Sequence, residues 1–148
     1  MNQVVVGVGN RMRGDDGAGP AALDRLAGRV DASVRLVECR GDVSQLIDAW
    51  RHADRAVVID AVVSGSEPGT LHVIDGRQGL PPRWRSASTH LIGLSEAIDL
   101  AWALEAMPAE LIIFGVEAAA TTPGDLLSPI VDETVDHIVE RVAVMTHA

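Results

Sequence analysis

The chain contains no lysine. All 12 of its basic residues are arginines, set against 21 acids for a formal net charge of −9. A nucleic-acid binder needs a basic stripe that neutralises phosphates and releases counterions, so no nucleic-acid partner is expected. There is one cysteine, Cys39, which excludes an internal disulfide and leaves nothing that points to an oxidising compartment. No stretch reaches the roughly 18 apolar residues of a membrane span. The opening segment MNQVVVGVGN lacks the basic start and the long apolar run of a signal peptide, so no membrane partner and a cytoplasmic location are expected.

What is present describes a packed protein. Hydrophobic residues make up 47% and charged residues 22%, too apolar a balance for a disordered chain. The 148 residues suit one domain over 1–148, enough to bury roughly two thirds of the unfolded surface around one core. No internal repeat or low-complexity linker divides it.

Hydrophobic periodicity predicts alternating strands and helices. Residues 3–8, 55–61 (RAVVIDA) and 110–116 (ELIIFGV) are short β-branched runs without polar alternation, as in parallel strands covered on both faces. SVRLVE, 33–38, alternates and suits a less buried strand. TLHVID, 70–75, follows the turn signal SGSEPG too closely for a crossover helix, which predicts an antiparallel edge strand. Helices are predicted at 42–50, capped by Asp42 with Gln45 three residues on, and at 90–104. A last helix opens at Ser128 and Pro129, with a stripe of Val131, Val135, Ile138, Val142 and Met145 facing the core. The fold class is therefore α/β: a single three-layer α/β/α domain whose mostly parallel sheet has about five strands and one antiparallel edge strand.

Open α/β sheets bind ligands outside the carboxyl ends of their parallel strands. That rule selects Asp15 and Asp16 in GVGNRMRGDDGAGP after the first strand, Asp60 at the end of VVID, and His90 in STHLIG before a helix. The glycine-rich loop does not fit a phosphate cradle. Met12 stands where a dinucleotide fingerprint has its third glycine, a P-loop needs a lysine, and two acids at a helix start repel a pyrophosphate. One of the two acids reads better as a simple helix cap. Asp60 is harder to assign to structure alone, because a carboxylate ending an apolar strand must be paired, hydrogen-bonded or bound to a cation. Together, Asp, Asp and His form a donor set for zinc, nickel or a related ion with open coordination positions. Cys39 reads as a semi-buried thiol, His72, His137 and His147 as solvated, and Glu117 as a possible liner of the same crevice. PPRWR, 81–85, reads as an exposed aromatic flanked by arginines or as a loop anchored by Trp84.

Four segments, GVGNRMRGDDGAGP, VVIDAVVSGSEPGTLHVID, STHLIGLSEAIDLA and FGVEAAATTPGDLLSPIV, resemble in order the hydrogenase maturation endopeptidases, which trim the C-terminal tail from the large subunit of nickel-iron hydrogenases. The resemblance implies that Asp16, Asp60 and His90 are the metal-contacting and catalytic residues. It further implies that nickel is carried by the precursor subunit, that zinc or cadmium-like ions can occupy the site in isolation, and that the hydrogenase large-subunit precursor is the partner. Two alternatives remain at this level: a non-catalytic metal-sensing chaperone of such a precursor, and a small zinc-type hydrolase. The chain departs from relatives at ECRGDV, 38–43, where many carry a glycine-rich DGGT-type segment, and at Ala118, where relatives often have proline.

Overall fold

Apolar β-branched runs form the centre of the sheet, as their lack of alternation requires. In the computed structural model, which describes residues 1–84, 89–124 and 126–147 apart from the side chains of 89–91, the strands are β1 (Gln3–Val8), β2 (Arg35–Cys39), β3 (Arg55–Val62), β4 (Leu71–Asp75) and β5 (Glu110–Glu117). Their order is β2-β1-β3-β5-β4, with β1, β2, β3 and β5 parallel and β4 antiparallel to β5. Every residue of β1 is buried, and β3 is buried beyond its first residue, whereas β2 and β4 at the two edges are partly exposed.

Helices cover both faces. Against one face lie α2 (Val43–Trp50) and α3 (Thr89–Ala103), burying Leu46, Trp50, Leu94, Ile98 and Ala101 against Val6, Val58 and Ile113. Against the other lie α1 (Ala18–Leu26) and α4 (Pro129–Met145), where Val131, Val135, Ile138 and Val142 are fully buried against Phe114 and Val116. The predicted stripe is thus the core face of α4, apart from half-buried Met145.

β4 is the antiparallel edge strand that the sequence predicts, and its partner is β5, which lies between β3 and β4 because its apolar residues need neighbours on both edges while β4 tolerates water on one. Asp42 and Ser128 hold the N-cap positions of α2 and α4, yet neither side chain makes a cap hydrogen bond. Among the described residues, no helix is long and apolar enough to cross a membrane.

Candidate active site

The strand order reverses direction between β1 and β3: the chain leaves β1 toward β2 on one side, and from β3 the sheet grows to the other. Loops diverge at such a switch point and leave a crevice at the carboxyl ends of the two strands. Asp60, the sixth residue of β3, is completely buried there and stands opposite Gly115 of β5. Asp16 lies in the 3₁₀ turn Gly14–Gly17 between β1 and α1, 9% exposed, and its Oδ2 accepts the backbone N–H of Asn10 at 3.1 Å.

Gly19 in the first turn of α1 sets how closely the helix approaches β1 and β3. A Cβ placed there would lie 2.6 Å from the carbonyl oxygen of Ile59, and it would equally strike the Val8 backbone. Only glycine lets the helix press onto the backbones of both strands. The residue after Ile59 is Asp60, and one turn before Gly19 is Asp16. His90, the third predicted member, is the second residue of α3, but its side chain lies outside the described residues, as does Arg85. Among the described residues no cluster of three His, Cys, Asp or Glu side chains is assembled. The two carboxylates supply hard oxygen donors, a chemistry that suits a divalent cation with open positions.

Asp15 has a different task from its neighbour. It is fully buried, and it reaches across to the segment between β5 and α4. Its Oδ2 accepts the N–H groups of Ala119 and Ala120 at 2.8 and 2.9 Å, its Oδ1 accepts the N–H of Ser128 at 2.7 Å, and the Ser128 hydroxyl donates to the carboxylate as well. The backbone N–H of Asp15 donates to the Ala120 carbonyl, and Gly124 N–H to that of Met12. The cap reading of Asp15 is therefore replaced by a clasp that fixes the loop after β5 to the turn carrying Asp16.

Glu117, at the end of β5, is 2% exposed. It accepts the N–H and hydroxyl of Ser64 at 2.7 and 2.6 Å and faces His72 Nε2 at 3.1 Å, so this nitrogen carries the hydrogen. His72 is thus not the solvated edge residue its strand suggested. Its ring meets Trp84 edge to face at 5.3 Å. Trp84 is 1% exposed, filling the space that Gly115 leaves empty: a Cβ on Gly115 would be 2.8 Å from the Trp84 ring. Of the two readings of PPRWR, the anchored one holds for Trp84. Glu117, His72 and Trp84 together tie β5 and β4 to the chain just ahead of α3.

Burial alone would raise the Glu117 carboxyl, but the hydrogen bonds from Ser64 and His72 outweigh it and hold the group below its ordinary range. A depressed folded-state value contributes stability that is present above the ordinary glutamate range, about pH 4.3, and lost as pH falls through the folded value. Glu117→Gln is therefore expected to cost about 2 kcal/mol at neutral pH. In urea titrations the gap to wild type should shrink toward acid, and a gap independent of pH would overturn the ionised-carboxylate assignment.

Cys39 is buried rather than semi-buried, and it pairs with Val8 at the carboxyl end of β1. Burial pushes its thiol up, a hydrogen bond from the Gly41 backbone opposes this, and the charge of Asp60 adds to the rise. A neutral buried thiol is a poor nucleophile. Glu38 is engaged by Arg11, which also grips Asp24 through two nitrogens and so pins the loop after β1 to α1 and β2. A cavity of about 590 Å³ lies at the other end of the sheet, between β4, β5, α3 and α4, and is lined by Val73, Trp102, Phe114 and Arg141. It is remote from the acids.

An α/β/α domain with a reversed strand order belongs, on fold, to the doubly wound class, whose ligand crevices lie at the point of reversal. The chain belongs to the hydrogenase maturation protease family: residues 23–144 match that family's sequence profile, HycI, a span that includes Asp60 and His90 and starts after Asp16. It is similar to the hydrogenase expression/formation protein HupD of Thiocapsa roseopersicina, 31% identical over 143 residues, covering 93% of this chain and 64% of that protein. It is also similar to HupM of Azotobacter chroococcum mcd 1, 33% identical over 123 residues, 80% of this chain and 58% of that one. The chain thus spans less than two thirds of the length of these relatives. Among solved structures, the NiFe hydrogenase maturation protease HybD from Thermococcus kodakarensis superposes with a TM-score of 0.79 at 26% identity, over 99% of both chains. The hydrogenase maturating endopeptidase HybD from Escherichia coli shares the fold with a TM-score of 0.82 at 24% identity, over 96% of this chain and 90% of that one.

Proposed function

We propose that the chain is an endopeptidase that removes the C-terminal extension of a nickel-iron hydrogenase large-subunit precursor once nickel has been inserted. The observation that supports this reading is the placement of Asp16, in the turn after β1, and buried Asp60, near the end of β3, at the carboxyl ends of the two strands that flank the switch point, with His90 the second residue of α3. Family membership supports the peptidase chemistry.

In this reading nickel belongs to the substrate, and Asp16, Asp60 and His90 contact it there, so that only a loaded precursor is held with its cut site in register. Nickel in that position supplies Lewis acidity toward the scissile carbonyl or the attacking water. Hydrolysis adds the water oxygen to the carbonyl carbon and breaks the C–N bond. One of the two carboxylates takes the proton from water and returns it to the leaving amine.

Intact mass of a nickel-loaded precursor, before and after incubation with the protein, tests the proposal. The expected result is loss of a single C-terminal peptide, absent with nickel-free precursor and absent with Asp16→Asn. Stable binding without a change in mass would replace the peptidase by the chaperone reading. Stoichiometric metal bound to the protein in the absence of any precursor would favour a zinc-type hydrolase.

A further inference from the structure

The arginines divide into two groups by what they touch. Among the described residues, Arg11, Arg25, Arg29, Arg51 and Arg55 each pair with a carboxylate. Arg35 and Arg77 donate to the carbonyls of Ala49 and Ala109, and Arg141 lies over the Phe114 ring. Arg13, Arg40 and Arg83 are exposed and have no such partner among the described residues.

These three share a location. Arg13 holds the N-cap position of the 3₁₀ turn that carries Asp16. Arg40 directly follows β2, and the carbonyl of the next residue, Gly41, packs against Gly93 in α3, so this loop lies against the helix whose second residue is His90. Arg83 precedes Trp84 in the short turn Pro82–Trp84, which Gly115 and His72 hold at the carboxyl end of β5. Three loops at the carboxyl ends of β1, β2 and β5 therefore each carry one exposed arginine.

Such a rim does nothing to attract a metal cation and is opposite in sign to the chain as a whole, whose net charge is −9. Its complement is an anionic part of the substrate. Three points on separate loops do not form the stripe that follows a phosphate backbone, but they match carboxylates distributed along a polypeptide, to which guanidinium offers paired donors. We infer that Arg13, Arg40 and Arg83 form a basic rim that binds an acidic stretch of the polypeptide substrate beside its cleavage segment. The inference rests on the endopeptidase reading for the identity of that substrate.

Fluorescence anisotropy with two labelled probes tests it, one an alternating Glu-Ala peptide and the other its Gln-Ala counterpart. Exposed ion pairs are individually weak, and three together are expected to favour the Glu probe about tenfold at low salt. At about 1 M salt, where the screening length is about 3 Å, the preference should vanish. The triple variant R13Q/R40Q/R83Q should lose the preference while melting at the wild-type temperature. Equal binding of the two probes to wild type, or a preference that survives in the triple variant, overturns the inference. So does displacement of the Glu probe by oligothymidylate at lower concentration than by unlabelled Glu peptide, which would make the rim a phosphate site. Cleavage of the nickel-loaded precursor by wild type is read separately: a Glu preference with an uncleaved precursor leaves the rim standing and removes the endopeptidase reading.

Discussion

Asp15→Ala is expected to melt about 12 °C below wild type, the largest loss of stability for a single substitution in the loops of this protein. The carboxylate is fully buried and satisfies the N–H groups of Ala119, Ala120 and Ser128 together with the Ser128 hydroxyl. Alanine leaves all of these donors in a space without an acceptor. A buried donor stripped of its partner costs about 1–3 kcal/mol, and with partial relaxation the group together costs about 4 kcal/mol. Ser128 is also the N-cap residue of α4, so the entry of that helix loosens along with the loop. Differential scanning calorimetry checks the prediction. A melting temperature within a few degrees of wild type would show that water replaces the carboxylate and that the clasp contributes little.

Asp60→Asn is expected to do the reverse, leaving the fold close to wild type and lowering precursor cleavage by about three orders of magnitude. Asparagine keeps the shape of the side chain and one acceptor oxygen, so the packing of β3 against β1 and β5 is retained. It loses the negative charge that the proposed chemistry needs, both toward a cation and as a proton acceptor. Cleavage rate and melting temperature, measured on the same preparation, separate the two effects. A variant that keeps more than a tenth of the wild-type rate would remove Asp60 from the chemistry, and one that melts far lower would make it a structural residue.

The sheet was legible in the sequence where one physical rule decided the outcome. Val4, Val5 and Val6, Ala56 to Ile59, and Ile113 and Phe114 read as buried on both faces because no polar residue interrupts them, and all are buried. Asp60 stood out for the same reason, as an acid that directly follows the four apolar residues Ala56 to Ile59. Elements set by contacts distant in sequence were not legible. Asp15 is bonded to residues more than 100 positions away, and nothing next to it distinguishes it from Asp16. Glu117 meets His72 at a separation of 45 residues, through a strand order in which β5 enters between β3 and β4. One signal for Trp84 was available: Gly115 interrupts a strand of bulky residues, and a glycine there marks a place where something large approaches the sheet.

The contact of Gly19 with the Val8 and Ile59 backbones bears on precision. Where two elements meet through side chains, their spacing inherits the tolerance of rotamers, and a methyl group gained or lost moves them. Here main chain rests on main chain, so the gap is gauged by atomic radii. The interval between the turn that carries Asp16 and the strand that carries Asp60 therefore behaves as a fixed dimension of the protein, indifferent to drift in the core on either side. Residues such as Leu23, Val34 and Ile138 can be exchanged for others of similar volume without retuning the spacing between that turn and that strand.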